Sequence, residues 1–246
     1  MKLALIGYGK MGREIEKLSR EKGHEIVLTI DNPEEWEFNL GELYKADVAI
    51  DFSTPSSVID NIHFCFDAGV PIVVGTTGWH EQMEEIRTEC MVRAQSIFWA
   101  PNFSIGINIF FELNRKLASL MSNWPDYEIS MEETHHVQKL DAPSGTAIHL
   151  ANDIIRHHGK KDKWVKEISE NPSDLGIRSH RIEEVTGTHK VVYDSPEDLI
   201  EIIHTAKSRR GFAQGSILAA EWLVGKRGFF EMKDMLKMKE EIRSTK

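Results

Sequence analysis

The sequence predicts an α/β protein in two parts: a parallel-sheet unit of alternating strands and helices, then an α+β unit on a mixed or antiparallel sheet. Three observations carry this expectation. Over roughly the first hundred residues, short apolar runs alternate with amphipathic stretches, the pattern of successive βα units. A glycine-rich turn stands directly after the first apolar run. From Gly106 the pattern changes to one long apolar-periodic helix and then to runs of period-two alternation, which read as antiparallel strands.

In chain order, strands are expected at Leu3–Ile6, Ile26–Ile30, Val48–Asp51, Pro71–Val74 and Ile97–Trp99. Helices fit between them at Met11–Lys22, at Pro55–Ala68 with Ser53 or Thr54 as cap and Pro55 in first position, and at His80–Arg93. Gly23 and Gly69 stand where helices end. The second part opens with a helix from Gly106 to Met121 and continues with strands at Tyr127–Glu133, Ser179–Glu184, Lys190–Tyr193 and Leu199–Ala206. A helix at Thr146–His158 interrupts them, and the polar stretch from Gly159 through Pro172 to Gly176 reads mostly as loop. A helix from Gln214 to Val224 is expected to return to the first part. The resulting division is 1–104, 105–209 and a C-terminal return over 210–246.

The whole chain has 246 residues, enough for two modest domains. With 30 Lys and Arg against 39 Asp and Glu its formal net charge is −9, which excludes broad affinity for nucleic acid or an anionic membrane and points to a small-molecule partner. Two distant cysteines, Cys65 and Cys90, make neither a disulfide framework nor a zinc knuckle, in keeping with a reducing compartment. No signal-peptide core and no apolar run of roughly 18 residues is seen, so a cytoplasmic location is expected.

Gly7-Tyr8-Gly9-Lys10-Met11-Gly12 follows a strand and opens a helix, and Asp31 closes the next strand nineteen residues after Gly12. That is the dinucleotide-binding fingerprint in its structural context: Gly7 for a tight turn, Gly9 for close approach of a pyrophosphate, Gly12 for close helix–strand packing, and the helix N-terminus for the phosphates. The first part therefore reads as a Rossmann-type domain for NADH or NADPH. Asp31, suited to a ribose 2′-hydroxyl and followed by no basic residue, favours NADH. Gly75-Thr76-Thr77 and Ala100-Pro101-Asn102-Phe103 follow the fourth and fifth strands, where an open parallel sheet places ligands, and are candidates for lining the nicotinamide half.

The densest chemistry runs from Glu133 to Thr146 and contains His135, His136, Lys139, Ser144, Gly145 and Thr146. Two imidazoles and a lysine on one loop of an acidic protein suit a small dicarboxylate, and the helix start at Ser144-Gly145-Thr146 offers N–H groups and a positive dipole end. A histidine there can also deliver a proton near neutral pH. No metal is expected, since the pair has no companion at a His-x-x-x-His spacing. His149, His157 and His158 read as surface or packing residues, and Arg209-Arg210 as a solvated basic pair.

Together the fingerprint, Asp51-Phe52-Ser53, Gly75-Thr76-Thr77-Gly78, Ala100-Pro101-Asn102-Phe103-Ser104 and above all His135-His136 with Lys139 and Asp141-Ala142-Pro143-Ser144-Gly145-Thr146-Ala147 make the chain resemble the dihydrodipicolinate reductases, also called 4-hydroxy-tetrahydrodipicolinate reductases, over nearly its whole length. The resemblance implies hydride transfer from NAD(P)H to an unsaturated cyclic imine dicarboxylate, giving tetrahydrodipicolinate in the diaminopimelate and lysine route. It implies His135 as general acid, Lys139 assisting protonation and binding a carboxylate, and His136, Gly145 and Thr146 holding substrate. A homotetramer built through the second domain is implied too. The chain departs from the family in having Val137 and Gln138 where a basic residue commonly follows the His pair, and in a short second domain. Two other readings share the first domain: a non-catalytic NAD(H)-sensing regulator, for which no basic helix-turn-helix or tail is present, and an aspartate- or homoserine-type dehydrogenase, which has no use for the His135–Thr146 loop.

Overall fold

A computed structural model describes residues 1–183 and 185–238. The expected strand end at Glu184 and the last part of the C-terminal segment, 239–246, lie outside the described residues. The chain separates into two compact units, Met1–Ile105 with the segment from Arg210 onward, and Gly106–Arg209.

In the first unit, strands β1 (Lys2–Ile6), β2 (Glu25–Ile30), β3 (Val48–Asp51), β4 (Ile72–Val74) and β5 (Ser96–Trp99) alternate with helices α1 (Lys10–Glu21), α2 (Trp36–Leu43), α3 (Val58–Ala68) and α4 (Met83–Val92). All strand pairs are parallel, in the order β11-β5-β4-β3-β1-β2, where β11 is Gly228–Phe230. The sheet is buried on both faces, so β3 and β4 read as continuous apolar runs with no alternation. One face is covered by residues of α2, α3 and α4, among them Trp36, Leu43, Ile62, Phe66 and Ile86. The other is covered by α1 and by α7 (Arg210–Leu223), through Ile15, Leu18, Ala213, Ile217 and Leu223. After β2 the chain returns to the far side of β1 to lay down β3, so the strand order reverses between β1 and β3 and opens a crevice at their carboxyl ends.

The second unit is a mixed sheet, β10-β9-β6-β8-β7, with α5 (Ile105–Met121) and α6 (Gly145–His158) on one face. Its strands are β6 (Glu128–His135), β7 (Lys163–Lys166), β8 (Asp174–Arg181), β9 (Gly187–Asp194) and β10 (Leu199–Ala206). β9 runs antiparallel to β6 and β10, while β6, β8 and β7 are mutually parallel neighbours. Inside this unit Asn114 of α5 donates to the Leu150 carbonyl of α6 and is fully buried.

Four expectations are corrected. The second sheet is the mixed one of the two arrangements expected, but the presumed loop over 159–176 contains β7 and the start of β8, whose core residues Leu175 and Ile177 flank Gly176. The helix placed at Pro55 begins at Val58, because the Thr54 carbonyl accepts from Ser57 and Val58 and folds Pro55–Ser57 into a turn. The C-terminal helix begins at Arg210 rather than Gln214, with Arg210 paired to Glu21 at 2.7 Å. Finally, α2 and the edge strand β11 were not foreseen.

Helix α7 lies flush on the loop after β5: a Cβ at Gly215 would sit 1.8 Å from the Phe103 carbonyl oxygen. Gly215→Ala is therefore expected to cost about 1–3 kcal/mol through forced displacement. Gly41→Ala, in α2 with open space around it, is expected to gain a few tenths to about 1 kcal/mol from reduced chain entropy. Thermal melts of the two variants must move in opposite directions for this packing account to stand.

Candidate active site

At the crevice between β1 and β3, the fingerprint glycines answer to sterics. Gly7 has φ +84°, and a Cβ there would meet the Phe52 carbonyl at 2.2 Å; one on Gly12 would meet the Gly7 carbonyl at 2.3 Å. These contacts press the start of α1 against the ends of β1 and β3. A Cβ on Gly9 would meet nothing within 4 Å, so the loop is open on that side. Helix α1 has no side-chain cap and no acidic residue in its first turn, which leaves its leading N–H groups available to an anion. Tyr8 is held by a hydroxyl contact to Glu16 and by Arg13 over its ring, while exposed Lys10 begins α1. The Tyr8 N–H donates to Asp31 at 2.9 Å, and the Asp31 N–H donates to Glu35 at 2.8 Å. Two carboxylates thus stand at the end of β2. With the open end of α1, this arrangement fits a dinucleotide.

Beneath the loops lies Asp51, the last residue of β3 and fully buried. It accepts from Thr76 Oγ1 at 2.5 Å, from Ser53 Oγ at 3.0 Å and from Asn61 Nδ2 at 2.9 Å; Asn61 in turn accepts from the Trp36 indole. Burial pushes its carboxyl above the ordinary value against the pull of these donors. Of the predicted cofactor residues, Thr76 therefore spends its hydroxyl on Asp51, and Gly75 lies against the Phe52 ring. Thr77 and Pro101 are exposed, Ala100 is buried, and the Asn102 side chain accepts from the Ser104 N–H. Phe103 packs in the core on Phe52 and Phe98. The thiols of Cys65 and Cys90 are free and buried in the core; burial pushes Cys90 up to about 11.

The second unit gathers its chemistry where the core face of the sheet turns polar. Along β6 the inward row reads Ile129, Met131, Glu133, His135; along β8 Leu175, Ile177, Ser179, Arg181; and on β9 Tyr193 and Val191 give way to His189. Register does the assembling, since Glu133 is paired to Ser179 on one side and His189 on the other, and His135 to Arg181. Glu133, 1% exposed, accepts the Ser144 N–H at 3.1 Å on both oxygens and Ser179 Oγ at 2.8 Å, with Arg181 at 3.5 Å. Burial opposes its charge, but the bonds from Ser144 and Ser179 and the field of His135 prevail and hold its carboxyl below the ordinary value.

His135 is buried, with Nδ1 3.5 Å from Glu133 Oε2. Burial lowers its basicity and Lys139 and Arg181 add to this, while Glu133 and Asp141 oppose them. The next four residues form a turn closed by the Lys139 N–H on the His136 carbonyl, which brings Lys139 back beside the strand end. Its ammonium is 2.7 Å from Asp141, and Arg181 braces the same loop by donating to the carbonyls of Lys139 and Asp141. Ser144 caps α6: its hydroxyl accepts the Ala147 N–H and meets His189 Nε2 at 3.2 Å. With its N–H on Glu133 and its hydroxyl between Ala147 and His189, Ser144 is buried and bonded within the protein. Gly145 and Thr146, in the first helical turn, keep N–H groups with no acceptor in the helix.

Sequence reading missed His189 and Arg181, since both come to the loop through strand register and not through spacing along the chain. It looked for a companion to the His pair only at a His-x-x-x-His spacing, whereas the fold brings ligand-type atoms of Glu133, His135 and His189 within 4.8 Å of one another. A dication there would face the Arg181 guanidinium 3.5 Å from the same carboxylate, so the cluster suits two imidazoles set around one carboxylate better than a metal. Among the described residues, no helix is long and apolar enough to cross a membrane.

Comparison with known proteins agrees with this geometry. Residues 1–103 match the family model described as dihydrodipicolinate reductase, N-terminus, and residues 106–236 match dihydrodipicolinate reductase, C-terminus. The chain belongs to the dihydrodipicolinate reductase family. It is 46% identical over 236 residues to 4-hydroxy-tetrahydrodipicolinate reductase of Christiangramia forsetii, covering 96% of this chain and 98% of that one. The enzyme of the same name from Staphylococcus aureus is 35% identical, with 94% and 98% covered. Among solved structures, a dipicolinate-bound dihydrodipicolinate reductase from Paenisporosarcina sp. superposes with a TM-score of 0.74 at 25% identity, over 95% of this chain and 98% of that one. An amine dehydrogenase from Mycobacterium smegmatis, at 8% identity and TM-score 0.56, shares the fold alone. Membership of this family makes the chain a nicotinamide-dependent reductase with a nucleotide-binding N-terminal unit.

His189 gives a pH test of the cluster. Burial, aided by His135, depresses it from 6.5 to about 4. The unfolded chain thus takes up this proton before the folded one, and stability falls as pH drops through the window from 6.5 to 4, by roughly 3 kcal/mol. Urea unfolding followed across that window should show a shallower acid loss in His189→Gln; equal losses in both proteins would remove His189 from this role.

Proposed function

We propose that this chain reduces 4-hydroxy-tetrahydrodipicolinate to tetrahydrodipicolinate, preferring NADH to NADPH, with His135 as the general acid. The observation that carries the reading is the loop from His135 to Thr146, in a chain matching curated reductases of that name over nearly its full length. Gly7, Gly9, Gly12 and the open end of α1 would hold the pyrophosphate and Asp31 the ribose, with the loops after β4 and β5 toward the nicotinamide. When bound, that ring supplies the hydride.

The rest falls to the protein's own groups. A dicarboxylate would take the N–H groups of Gly145 and Thr146 at the positive end of α6 on one carboxylate and His136 and Lys139 on the other. The Lys139–Asp141 pair is partly exposed and therefore weak, so the ammonium is free to exchange to substrate. Once the 4-hydroxyl has left as water to give the unsaturated ring, the hydride adds to one carbon and His135 would pass a proton to the carbon beside it. An anionic ligand and Glu133 both favour its charged form, offsetting burial. The loop has Val137 in place of a cation, but Arg181 supplies positive charge beside it. By the same resemblance the chain would work in the cytoplasm as a homotetramer assembled through the second unit, which light scattering of the purified chain tests.

Purified protein given NADH and the condensation product of pyruvate and aspartate semialdehyde should consume nicotinamide absorbance; no substrate-dependent loss rejects the activity. In the same assay His135→Gln should lower kcat about 10²–10⁴-fold with NADH affinity nearly unchanged, and an undiminished kcat would end its role as acid.

The carboxylates of Asp31 and Glu35 at the end of β2 set the cofactor preference. A 2′-phosphate there meets like charge, so kcat/KM should favour NADH, and Asp31→Asn should narrow the ratio by about tenfold. A tenfold preference of the native protein for NADPH would overturn this.

A further inference from the structure

We infer that Glu133 is a positioning residue for His135: it holds the Nδ1 edge of the ring, leaving Nε2, which faces the bare backbone of Gly187, as the atom that passes the proton. The inference rests on the reading of His135 as general acid and goes beyond it by naming the residue that orients the ring and the nitrogen that acts.

Glu133 has two distinguishable oxygens. Oε1 is occupied by Ser179 Oγ at 2.8 Å and faces Arg181 at 3.5 Å, and the Ser144 N–H is shared between both. Oε2 is the one turned to the imidazoles, at 3.5 Å from His135 Nδ1 and 3.8 Å from His189 Nε2. His189 has its own partner in the Ser144 hydroxyl at 3.2 Å and stays neutral until about pH 4. The carboxylate charge is thus left to His135. The two rings meet edge to face at 5.1 Å, which keeps His189 as a wall against which His135 is held.

The other edge of the ring is different. His135 Nδ1 is closed off from solvent and has no formed hydrogen bond, its contact there being the ionic approach of Glu133 Oε2 at 3.5 Å, whereas a Cβ built on Gly187 would lie 3.1 Å from Nε2. The space beside Nε2 exists because position 187 has no side chain. A proton carried on Nε2 therefore has a place to go, and one on Nδ1 does not. In the neutral ring Nδ1 keeps its proton toward Glu133, and protonation adds the transferable one at Nε2. The charged groups around the ring are Glu133 on its own strand, Lys139 and Asp141 on the following loop, and Arg181 on β8; His189 faces it from β9. Glu133 is the nearest anion, and removing its charge leaves two cations against the more distant Asp141.

The first test needs no variant. Long-range ¹H–¹⁵N correlation of the imidazoles in the full-length protein above the His135 titration should show the Nδ1–H tautomer; an Nε2–H tautomer overturns the inference. Second, Glu133→Gln should move the basic limb of kcat/KM to lower pH by about one unit, Glu133→Asp should recover part of that shift, and Gly187→Ala should lower kcat more than it raises KM. A basic limb unmoved in Glu133→Gln also overturns it. His135→Gln separates the two levels. If that variant keeps full kcat, the general-acid reading falls and takes the inference with it; if it is slow while the tautomer or the limb disagrees, only the role of Glu133 is lost.

Discussion

A carboxylate removed from water must be met by donors or lose its charge, and each unit of this protein is arranged around one such group. In the first unit it is Asp51 at the end of β3, and in the second Glu133 near the end of β6. Removing one partner from a buried charged network costs on the order of 3–5 kcal/mol, more than any single turn or surface ion pair contributes. The loops that approach these carboxylates are therefore constrained to deliver hydroxyls and N–H groups to fixed points. Thr76 and Ser53 do so for Asp51, and Ser144 and Ser179 for Glu133. The loop after β4 and the loop before α6 inherit their geometry from this requirement. Gly75 to Thr77 is tied to the sheet through Thr76, and the start of α6 is tied to β6 through Ser144.

The two carboxylates differ in what surrounds them, and the difference separates scaffold from chemistry. Asp51 is enclosed by neutral donors, and burial raises its carboxyl. Glu133 has imidazoles on one oxygen and a guanidinium near the other, and is held ionised. A buried anion that remains charged exerts a field on whatever lies beside it, in a medium less polarisable than water. His135 is what lies beside it. The sheet accommodates this because the inward rows of β6, β8 and β9 stay apolar at one end, where Ile129, Leu175 and Tyr193 make the core, and turn polar together at the other.

Much of the architecture was legible because its signals are local. The Gly7–Gly12 turn and each apolar run of β1 to β5 are contained within a few consecutive residues, Asp31 ends one of those runs, and the chemistry from His135 to Thr146 occupies a single short segment. What escaped were elements too short or too polar to show a period. β11 is three residues long and owes its place to pairing with β5. β7 is half exposed, and β8 carries only Leu175 and Ile177 as apolar inward residues before turning to Ser179 and Arg181. α2 was readable in principle, since Trp36, Leu40 and Leu43 have helical spacing toward the core. His189 was not. Its partners Glu133 and Ser144 are 56 and 45 residues away, and the β6–β9 register alone brings them together.

That dependence on register ties the loop from His135 to Thr146 to strands remote from it in sequence. A one-residue slip of β9 against β6 would send His189 to the opposite face and leave Ser144 and Glu133 with an unmet neighbour. A comparable slip of β8 would withdraw both Ser179 and Arg181, and with them the brace on the carbonyls of Lys139 and Asp141. The apolar halves of the same strands resist such slips, because Val191 and Tyr193 on β9 and Leu175 and Ile177 on β8 would be turned out of the core by the same step. Burial of those side chains, each worth about 1.5–3 kcal/mol, thereby fixes the polar end to a precision that its own hydrogen bonds, at about 1 kcal/mol each, do not reach alone. The core of the second unit is in this sense part of the site's machinery.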